Sequence, residues 1–261
     1  MINKDAVLQD IARVLYEAEK NNAPIPPISQ MYPGLSMDDA YAIQLINYKR
    51  ALQEGKRVTG KKIGLTSLAM QQSLKVDQPD FGFLYNTMEV ALGGAIAQDS
   101  ILQPRVEGEL AFVLKTPLQG EVSPRQVLDA TDYVVPAIEI VGSRIQDWKL
   151  TIVDTIADNA SCGMYMLGEQ KINPRRVDLK QIHLTLRRNG EDINSGYGSA
   201  VLGDPLNSVA WLAHCLGRYG ITLDKGDVVL SGALSAAVPA GSKDTFACDF
   251  GTYGTLTVLF E

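Results

Sequence analysis

Apolar side chains recur at helical spacing near the start of the chain. One such pattern covers residues 5–21, and a second runs to residue 52 after Ser36, an N-cap with Asp39 at the capping-box position. The prolines between the two patterns end the first helix, because proline lacks an amide hydrogen and restricts the residue before it. We therefore predict two amphipathic helices in an N-terminal subdomain over residues 1–56.

From residue 58 the pattern changes to short apolar or alternating runs separated by glycine and turn residues, which is typical of β-strands. The predicted strands cover residues 59–63, 110–114, 133–141, 182–188, 228–231, 245–249 and 254–260. The predicted helices between them cover residues 67–74, 124–130 and 205–219. Asn189-Gly190 predicts a hairpin turn. Because strands and helices do not alternate strictly, we predict an α+β fold with a large mixed or antiparallel sheet in a second domain over residues 57–261.

Composition narrows the classes of protein to consider. The chain has 261 residues, of which 46% are hydrophobic and 21% charged, as in ordinary globular proteins. Its net charge of −6 gives no support to nucleic-acid binding, which calls for a basic face. No uninterrupted apolar block is long enough for a signal peptide or a membrane span. We therefore expect a cytoplasmic protein that acts on a small molecule.

The cysteines and histidines offer no site by themselves. Cys162, Cys215 and Cys248 are far apart and form no C-x-x-C pair, so neither a zinc site nor a disulfide framework is predicted. His183 and His214 have no acid or nucleophile at a telling spacing. No hydrolase triad is therefore predicted.

Three glutamates lie in apolar, strand-like runs. Glu107 and Glu109 are two residues apart and would share one face of a strand, while Glu139 lies in a second run. Buried carboxylates are costly to desolvate and repel one another, so such a cluster pairs with cations or holds a metal. Oxygen-only ligation indicates Mg²⁺ or Mn²⁺. The alternative is a set of salt bridges, for which the candidate cations are Arg105, Arg144, Lys61 and Lys62.

Lys61 and Lys62 are neighbours in a predicted strand, so they face opposite sides, and we expect one at a pocket and the other at solvent. A lysine near a metal and other cations can have its pKa lowered enough for proton transfer, although two surface lysines explain the same pattern. Asp80 lies beside Phe81 in a predicted loop rich in turn residues. It is a candidate general base with a raised pKa, and turn formation is the alternative explanation.

Two further segments contain candidate binding groups. Residues 154–163 combine polar and small residues, including Ser161, and could frame a pocket. Ser231 and Gly232 follow a predicted strand at a point where a ligand could approach the backbone amides closely. Both are weak signals when taken alone.

Taken together, these segments resemble the hydratase and decarboxylase family of bacterial meta-cleavage pathways, within the fumarylacetoacetate hydrolase superfamily. The resemblance runs through essentially the whole chain. It rests on five motifs in the same order, at residues 60–67, 77–82, 103–109, 143–148 and 158–163. It implies a mixed β-sandwich roll preceded by a helical N-terminal region, with residues 57–261 as the catalytic domain, and usually a homo-oligomer.

The resemblance also implies a site. It implies a divalent metal, Mg²⁺ or Mn²⁺, held by Glu107, Glu109 and Glu139. Lys62 would transfer a proton or stabilise charge on the substrate's C2 oxygen, and Asp80 would transfer a proton or position water. The implied substrate-binding residues are Ser161, Ser231 and Gly232, the last two as candidates for holding the substrate carboxylate.

The implied reaction is the hydration of 2-hydroxypenta-2,4-dienoate, also called 2-oxopent-4-enoate, to 4-hydroxy-2-oxopentanoate in aromatic catabolism. A related decarboxylase of 2-oxo-3-hexenedioate (4-oxalocrotonate) would use the same enolate-stabilising metal. The motif around Asp80 favours the hydratase, because decarboxylase-like sequences often lack that acid. A hydratase for a longer dicarboxylate is a further alternative. So is a catalytically silent partner of the pathway's decarboxylase or aldolase, which the full set of acids and lysine disfavours.

Overall fold

The structure is a computed structural model that describes residues 4–74 and 76–261. Within these residues there are seven α-helices, which are α1 (Lys4–Lys20), α2 (Ile28–Met31), α3 (Met37–Gln53), α4 (Leu68–Leu74), α5 (Pro124–Ala130), α6 (Ile152–Ala157) and α7 (Pro205–Gly217). The two predicted N-terminal helices are confirmed as α1 and α3. Ser36 and Asp39 form the predicted capping box, in which the Asp39 amide donates to Ser36 Oγ at 3.2 Å and the Ser36 amide donates to Asp39 Oδ2 at 3.0 Å.

The strands form two mixed sheets. They are β1 (Val58–Gly64), β2 (Asp80–Tyr85), β3 (Ala95–Ile96), β4 (Arg105–Leu114), β5 (Thr131–Val141), β6 (Met164–Leu167), β7 (His183–Arg188), β8 (Glu191–Tyr197), β9 (Val228–Ala233), β10 (Val238–Pro239), β11 (Thr245–Asp249) and β12 (Thr255–Phe260). The larger sheet has the order β2-β1-β9-β4-β5-β6, with β10 paired to β4, and the smaller has the order β3-β12-β11-β7-β8. The larger sheet contains one parallel pair, β1 with β9, and the smaller sheet contains one, β12 with β3. The predicted mixed α+β architecture is therefore confirmed.

Several short elements depart from the prediction. The segment at Asp80 is not a loop: it begins β2, whose six residues are all buried and therefore show no period of two. Strand β4 begins at Arg105, five residues before the predicted start. Strand β6 has four residues and helix α6 has six, which is too short for a clear pattern. The predicted hairpin at Asn189-Gly190 is confirmed, with positive φ at both positions, 54° and 85°.

The main core lies between the two sheets. Alternate residues of β4 face the smaller sheet, and at Gly108 a side chain would collide with Leu184 and approach Cys248 within 3.2 Å. The residues on either side of Gly108, Glu107 and Glu109, therefore point to the opposite face of the larger sheet. The predicted site therefore lies on the face of the larger sheet that points away from the main core.

Helix α3 packs directly against the larger sheet and α6. Tyr41 stacks on Phe81 with ring centroids 4.6 Å apart, and Gln44 Nε2 donates to the carbonyls of Phe81 and Ile156 at 2.7 and 3.1 Å. The division into subdomains at residue 56 stays a prediction, and residues 1–3 of the first subdomain lie outside the described residues. In the described part of the chain, no helix is long and apolar enough to cross a membrane.

Candidate active site

The three glutamates meet on the outer face of the larger sheet. Glu107 and Glu139 are direct partners in the antiparallel pairing of β4 with β5, and Glu109 is the next residue on the same face of β4. One carboxylate oxygen from each residue lies within 4.8 Å of the other two. Glu109 and Glu139 are buried, and Glu107 is partly exposed. The prediction that these acids share one face is confirmed.

The electrostatics of this trio are unfavourable without a cation. Burial and the nearby Glu139 carboxylate raise the pKa of Glu107 to about 7. Burial, together with Glu139 and Glu107, raises the pKa of Glu109 well above its usual range. The pKa of Glu139 is also raised by burial, although Lys62 acts in the opposite direction. Protons or a cation must therefore compensate the cluster.

The donor atoms fit a hard divalent ion. Oxygen ligands of Mg²⁺ or Ca²⁺ lie about 2.0–2.6 Å from the ion, so two oxygens on one ion can be up to about 5 Å apart. The trio meets this limit, and Glu139 Oε2 is buried with no hydrogen-bond partner. Glu109 is oriented by the Gly232 amide, which donates to Glu109 Oε2 at 2.9 Å. The role of the trio as metal ligands is taken up below as a proposal.

Lys62 enters this cluster from β1. Its Nζ lies 3.3 Å from Glu139 Oε1, and its side chain is 4% exposed. Lys61 faces the other side of the strand, as predicted, where its Nζ pairs with Asp227 Oδ2 at 2.5 Å. The expectation that this second lysine meets solvent is wrong. Both faces of β1 are covered from residue 60 to residue 63, and Lys61 Nζ also donates to the Thr222 carbonyl at 3.2 Å.

Without a bound metal the pKa of Lys62 is raised, and the lowered value expected beside a metal and other cations stays a prediction. Burial by itself lowers it, but Glu139, the Cys162 thiol, Asp80 and Glu107 together outweigh burial and raise it. Among the protein's own charges Lys62 is therefore a cation. Of the alternative salt bridges for the acids, the Lys62 pair with Glu139 is the one found, since the other three cations have other partners. These partners are Asp227 for Lys61, Asp158 for Arg144 and the Trp148 ring for Arg105.

Asp80 lies at the start of β2, across from Gly64 on β1, and is 1% exposed. Thr155 Oγ1 donates to its Oδ2 at 2.8 Å, whereas Oδ1 is buried with no hydrogen-bond partner. Burial raises the pKa of Asp80, and Lys62 and Thr155 offset this only in part. The expected raised pKa is confirmed, and its cause is burial within a strand.

Ser161 lies beside this group in an unusual turn. Asn159, Ala160 and Ser161 all have positive φ, at 55°, 51° and 53°. Ser161 Oγ donates to Asp158 Oδ2 at 3.3 Å, and Asp158 forms a buried ion pair with Arg144. In this arrangement the Ser161 hydroxyl already has a protein partner, and its substrate-binding role stays a prediction.

Ser231 and Gly232 lie beside the trio on β9. Ser231 Oγ is buried and has no hydrogen-bond partner, while the Ser231 carbonyl accepts from Ser208 Oγ at 2.7 Å. The Gly232 amide is engaged with Glu109, and a side chain at this position would collide with Thr66. A hydroxyl without a partner suits ligand binding, and the roles of both residues in holding a substrate carboxylate stay predictions.

Two residues of the segment 154–163, which the sequence indicates could frame a pocket, contact predicted site residues, although the sequence assigns neither of them a role. Thr155 contacts Asp80, and Cys162 Sγ lies 4.0 Å from Glu139 Oε1. The capping box of Thr151 and Asp154 would have indicated helix α6 and placed Thr155 in its first turn. No sequence signal distinguishes Cys162 from an ordinary buried thiol.

Comparisons of the sequence with known proteins point to one family. Residues 43–259 match the family described as fumarylacetoacetate (FAA) hydrolase C-terminal. The 2-keto-4-pentenoate hydratase of Paraburkholderia xenovorans (strain LB400) is 46% identical over 254 residues, which are 97% of this chain and 94% of that protein. The 2-hydroxyhexa-2,4-dienoate hydratase of Comamonas testosteroni is 45% identical over 249 residues, 94% of each chain.

A solved structure is similar over its full length. The 4-oxalocrotonate decarboxylase from Pseudomonas putida G7, complexed with magnesium and adipate, is 31% identical, with a TM-score of 0.96 that covers 100% of this chain and 99% of that one. The expected mixed β fold of this superfamily is thereby confirmed. From the family match, the identities and the shared fold, the chain belongs to the fumarylacetoacetate hydrolase family.

Proposed function

We propose that this protein is a metal-dependent hydro-lyase that adds water to 2-hydroxypenta-2,4-dienoate and yields 4-hydroxy-2-oxopentanoate in meta-cleavage degradation of aromatic compounds. The observation that carries the proposal is the trio of Glu107, Glu109 and Glu139, with Lys62 3.3 Å from Glu139 and Asp80 nearby on the same face of the sheet. The names of relatives at 45–46% identity, all dienoate or pentenoate hydratases, support this reaction over decarboxylation.

Glu107, Glu109 and Glu139 would hold the divalent ion. Three carboxylates and one lysine leave two negative charges, which a divalent cation balances. When bound, the ion would supply Lewis-acid stabilisation of negative charge on the substrate's C2 oxygen. The 4-oxalocrotonate decarboxylase from Pseudomonas putida G7 has been solved with magnesium and also with calcium. We propose Mg²⁺ or Mn²⁺ as the physiological ion.

Lys62 would stabilise the substrate's developing charge. Because its anionic neighbours raise its pKa, it retains its protons at neutral pH and can donate a hydrogen bond to the C2 oxygen. Its pairing with Glu139 keeps Nζ beside the carboxylates, where that oxygen would lie.

Asp80 would handle the protons. A carboxyl group with a raised pKa is a stronger base than an ordinary aspartate and can accept a proton and later return it. Ketonisation moves the proton of the C2 hydroxyl to C5, and the double bond then lies between C3 and C4. Water adds its hydroxyl to C4, and the remaining proton arrives at C3. Asp80 is the candidate base for that water.

We also propose that Ser161, Ser231 and Gly232 bind the substrate. The other expectations from the family resemblance stay proposals as well: a cytoplasmic homo-oligomer that associates with the pathway's decarboxylase or aldolase. Sedimentation of the purified chain, alone and mixed with each of these enzymes, tests both kinds of association.

The test of function uses the purified chain, treated with a chelator and then supplied with Mg²⁺ or Mn²⁺. We expect metal-dependent loss of the dienol absorbance with formation of the hydroxyketo acid. Glu109→Gln should lose metal binding and turnover together, whereas Glu169→Gln, at an exposed position, should lose neither. Release of carbon dioxide from 2-oxo-3-hexenedioate instead would identify a decarboxylase. An unchanged dienol together with binding to a pathway enzyme would identify a silent partner.

A further inference from the structure

Helix α6 fixes which oxygen of Asp80 faces the site. Thr155 Oγ1 donates to Asp80 Oδ2 at 2.8 Å, whereas Oδ1 is buried and has no hydrogen-bond partner among the described residues. A hydrogen bond to one oxygen prevents the carboxyl group from rotating freely and makes its two oxygens inequivalent. Oδ1 is therefore the oxygen available to a substrate or to water.

The position of Thr155 is itself well determined. The neighbouring Asp154 accepts from the Thr151 amide and hydroxyl at 2.8 and 2.7 Å, and from the Ser29 amide and hydroxyl at 2.9 and 2.7 Å. The carbonyl of Ile156 accepts from Gln44 at 3.1 Å. These bonds tie both ends of a short helix to two other parts of the chain, so the Thr155 hydroxyl is held in place before any ligand binds.

The free oxygen lies over β1 on the Lys62 side of Asp80. At Gly64 a side chain would collide with Asp80 Oδ1 and would come within 3.5 Å of Lys62 Nζ. Oδ1 therefore occupies the space that a side chain at residue 64 would need, and it lies on the same face of β1 as Lys62 Nζ. A proton acceptor and a cation on one face can together engage a substrate or a water molecule.

We propose that Thr155 is a positioning residue that holds the Asp80 carboxylate so that Oδ1 faces the Lys62 side of the site and takes a proton from the water added to the substrate. The inference rests on the proposed hydratase function and deepens it. In the step itself, the water oxygen forms a bond to C4 while one O–H bond breaks and its proton passes to Asp80 Oδ1. The electron pair of the C3–C4 double bond forms a C2–C3 double bond and places negative charge on the C2 oxygen. C3 then takes the proton held by Asp80, which restores the C2 carbonyl and the Asp80 carboxylate.

The experiment compares three variants that each change one buried threonine. Thr155→Val removes the hydroxyl and keeps the shape, and Thr155→Ser retains a hydroxyl. Thr131→Val is the matched control. Thr131, the first residue of β5, is also buried, and its Oγ1 donates a hydrogen bond of 2.8 Å to the Val127 carbonyl. Each variant is assayed for kcat, KM and Mn²⁺ affinity with 2-hydroxypenta-2,4-dienoate.

We expect Thr155→Val to lower kcat about 10- to 100-fold, the range that misplacement of a catalytic group produces, with KM and Mn²⁺ affinity within about two-fold of the unmodified protein. Thr155→Ser should recover most of kcat, and Thr131→Val should leave all three quantities unchanged.

Equal kcat values for Thr155→Val and Thr131→Val would overturn the inference, and so would failure of Thr155→Ser to recover activity. A parallel loss of Mn²⁺ affinity in Thr155→Val would also overturn it, because the effect would then pass through the metal site. If the unmodified protein with Mn²⁺ or Mg²⁺ does not hydrate the dienol, the proposed function itself has failed, which the wild-type assay shows before any variant is measured.

Discussion

The stability of the metal-free protein should depend on pH through the crowded carboxylates. Glu107 is the clearest case, because burial and the Glu139 carboxylate raise its pKa from an ordinary 4.5 to about 7. Between these two pH values the folded chain retains a proton that the unfolded chain has released. The free energy of unfolding therefore falls as the pH rises from 4.5 to about 7, and this loss of stability persists at higher pH.

The size of this effect follows from the two pKa values. At about 1.4 kcal/mol for each pKa unit, the difference between 4.5 and about 7 amounts to about 3 kcal/mol. Glu107→Gln removes the ionisable group. The free energy of unfolding of the metal-free variant, relative to that of the unmodified protein, should therefore rise by about 3 kcal/mol from pH 4.5 to pH 8. A change that damages the proposed metal site should thus stabilise the empty protein at high pH.

Denaturant unfolding with a chelator present, followed by the fluorescence of Trp148 and Trp211, measures this difference. Mn²⁺ should stabilise the unmodified protein at pH 8, because a ligand that binds the folded state adds its binding free energy, and should stabilise Glu107→Gln much less. Glu169→Gln, which removes an exposed carboxylate, serves as the control. If the curves for Glu107→Gln and the unmodified protein run parallel from pH 4.5 to pH 8, the electrostatic account of the trio is wrong.

Two further substitutions separate chemistry from folding. Asp80→Asn should lower kcat by about 10²- to 10⁴-fold through loss of the proton acceptor, and Mn²⁺ titration should show an unchanged affinity. A kcat close to that of the unmodified protein would remove Asp80 from the mechanism. Asp227→Ala should leave Lys61 buried without its ion-pair partner and lower the free energy of unfolding by about 3–5 kcal/mol, as measured by denaturant titration. A loss under about 1 kcal/mol would show that solvent reaches Lys61.

The sequence predicts the main elements because they carry local signals. Helices α1 and α3 have a 3.6-residue period, α3 also has a capping box, and the hairpin has Asn189-Gly190. The prediction that Glu107 and Glu109 lie on one face follows from strand geometry alone. Their proximity to Glu139 depends on which strands pair, and that information is not local.

The errors have the same origin. Pro79 and Gly82 resemble turn residues and so predict a loop at Asp80, whereas burial on both faces of β2 removes the alternation that identifies a strand. The sequence predicts solvent around the second lysine because its neighbours in sequence do not reveal that Asp227 lies opposite. The sequence includes Thr155 in a segment that could frame a pocket, but it does not predict the contact with Asp80, which joins residues 75 positions apart.

The pairing of β4 with β5 has a practical consequence. Glu107 lies directly opposite Glu139, and Gly108 faces the other side against Leu184. A shift of one residue in either strand would turn its acids into the core, so a chain with mispaired strands cannot be partly active. Specific activity per mole of purified chain therefore measures the yield of correctly folded molecules, and preparations refolded under different conditions can be ranked by turnover alone.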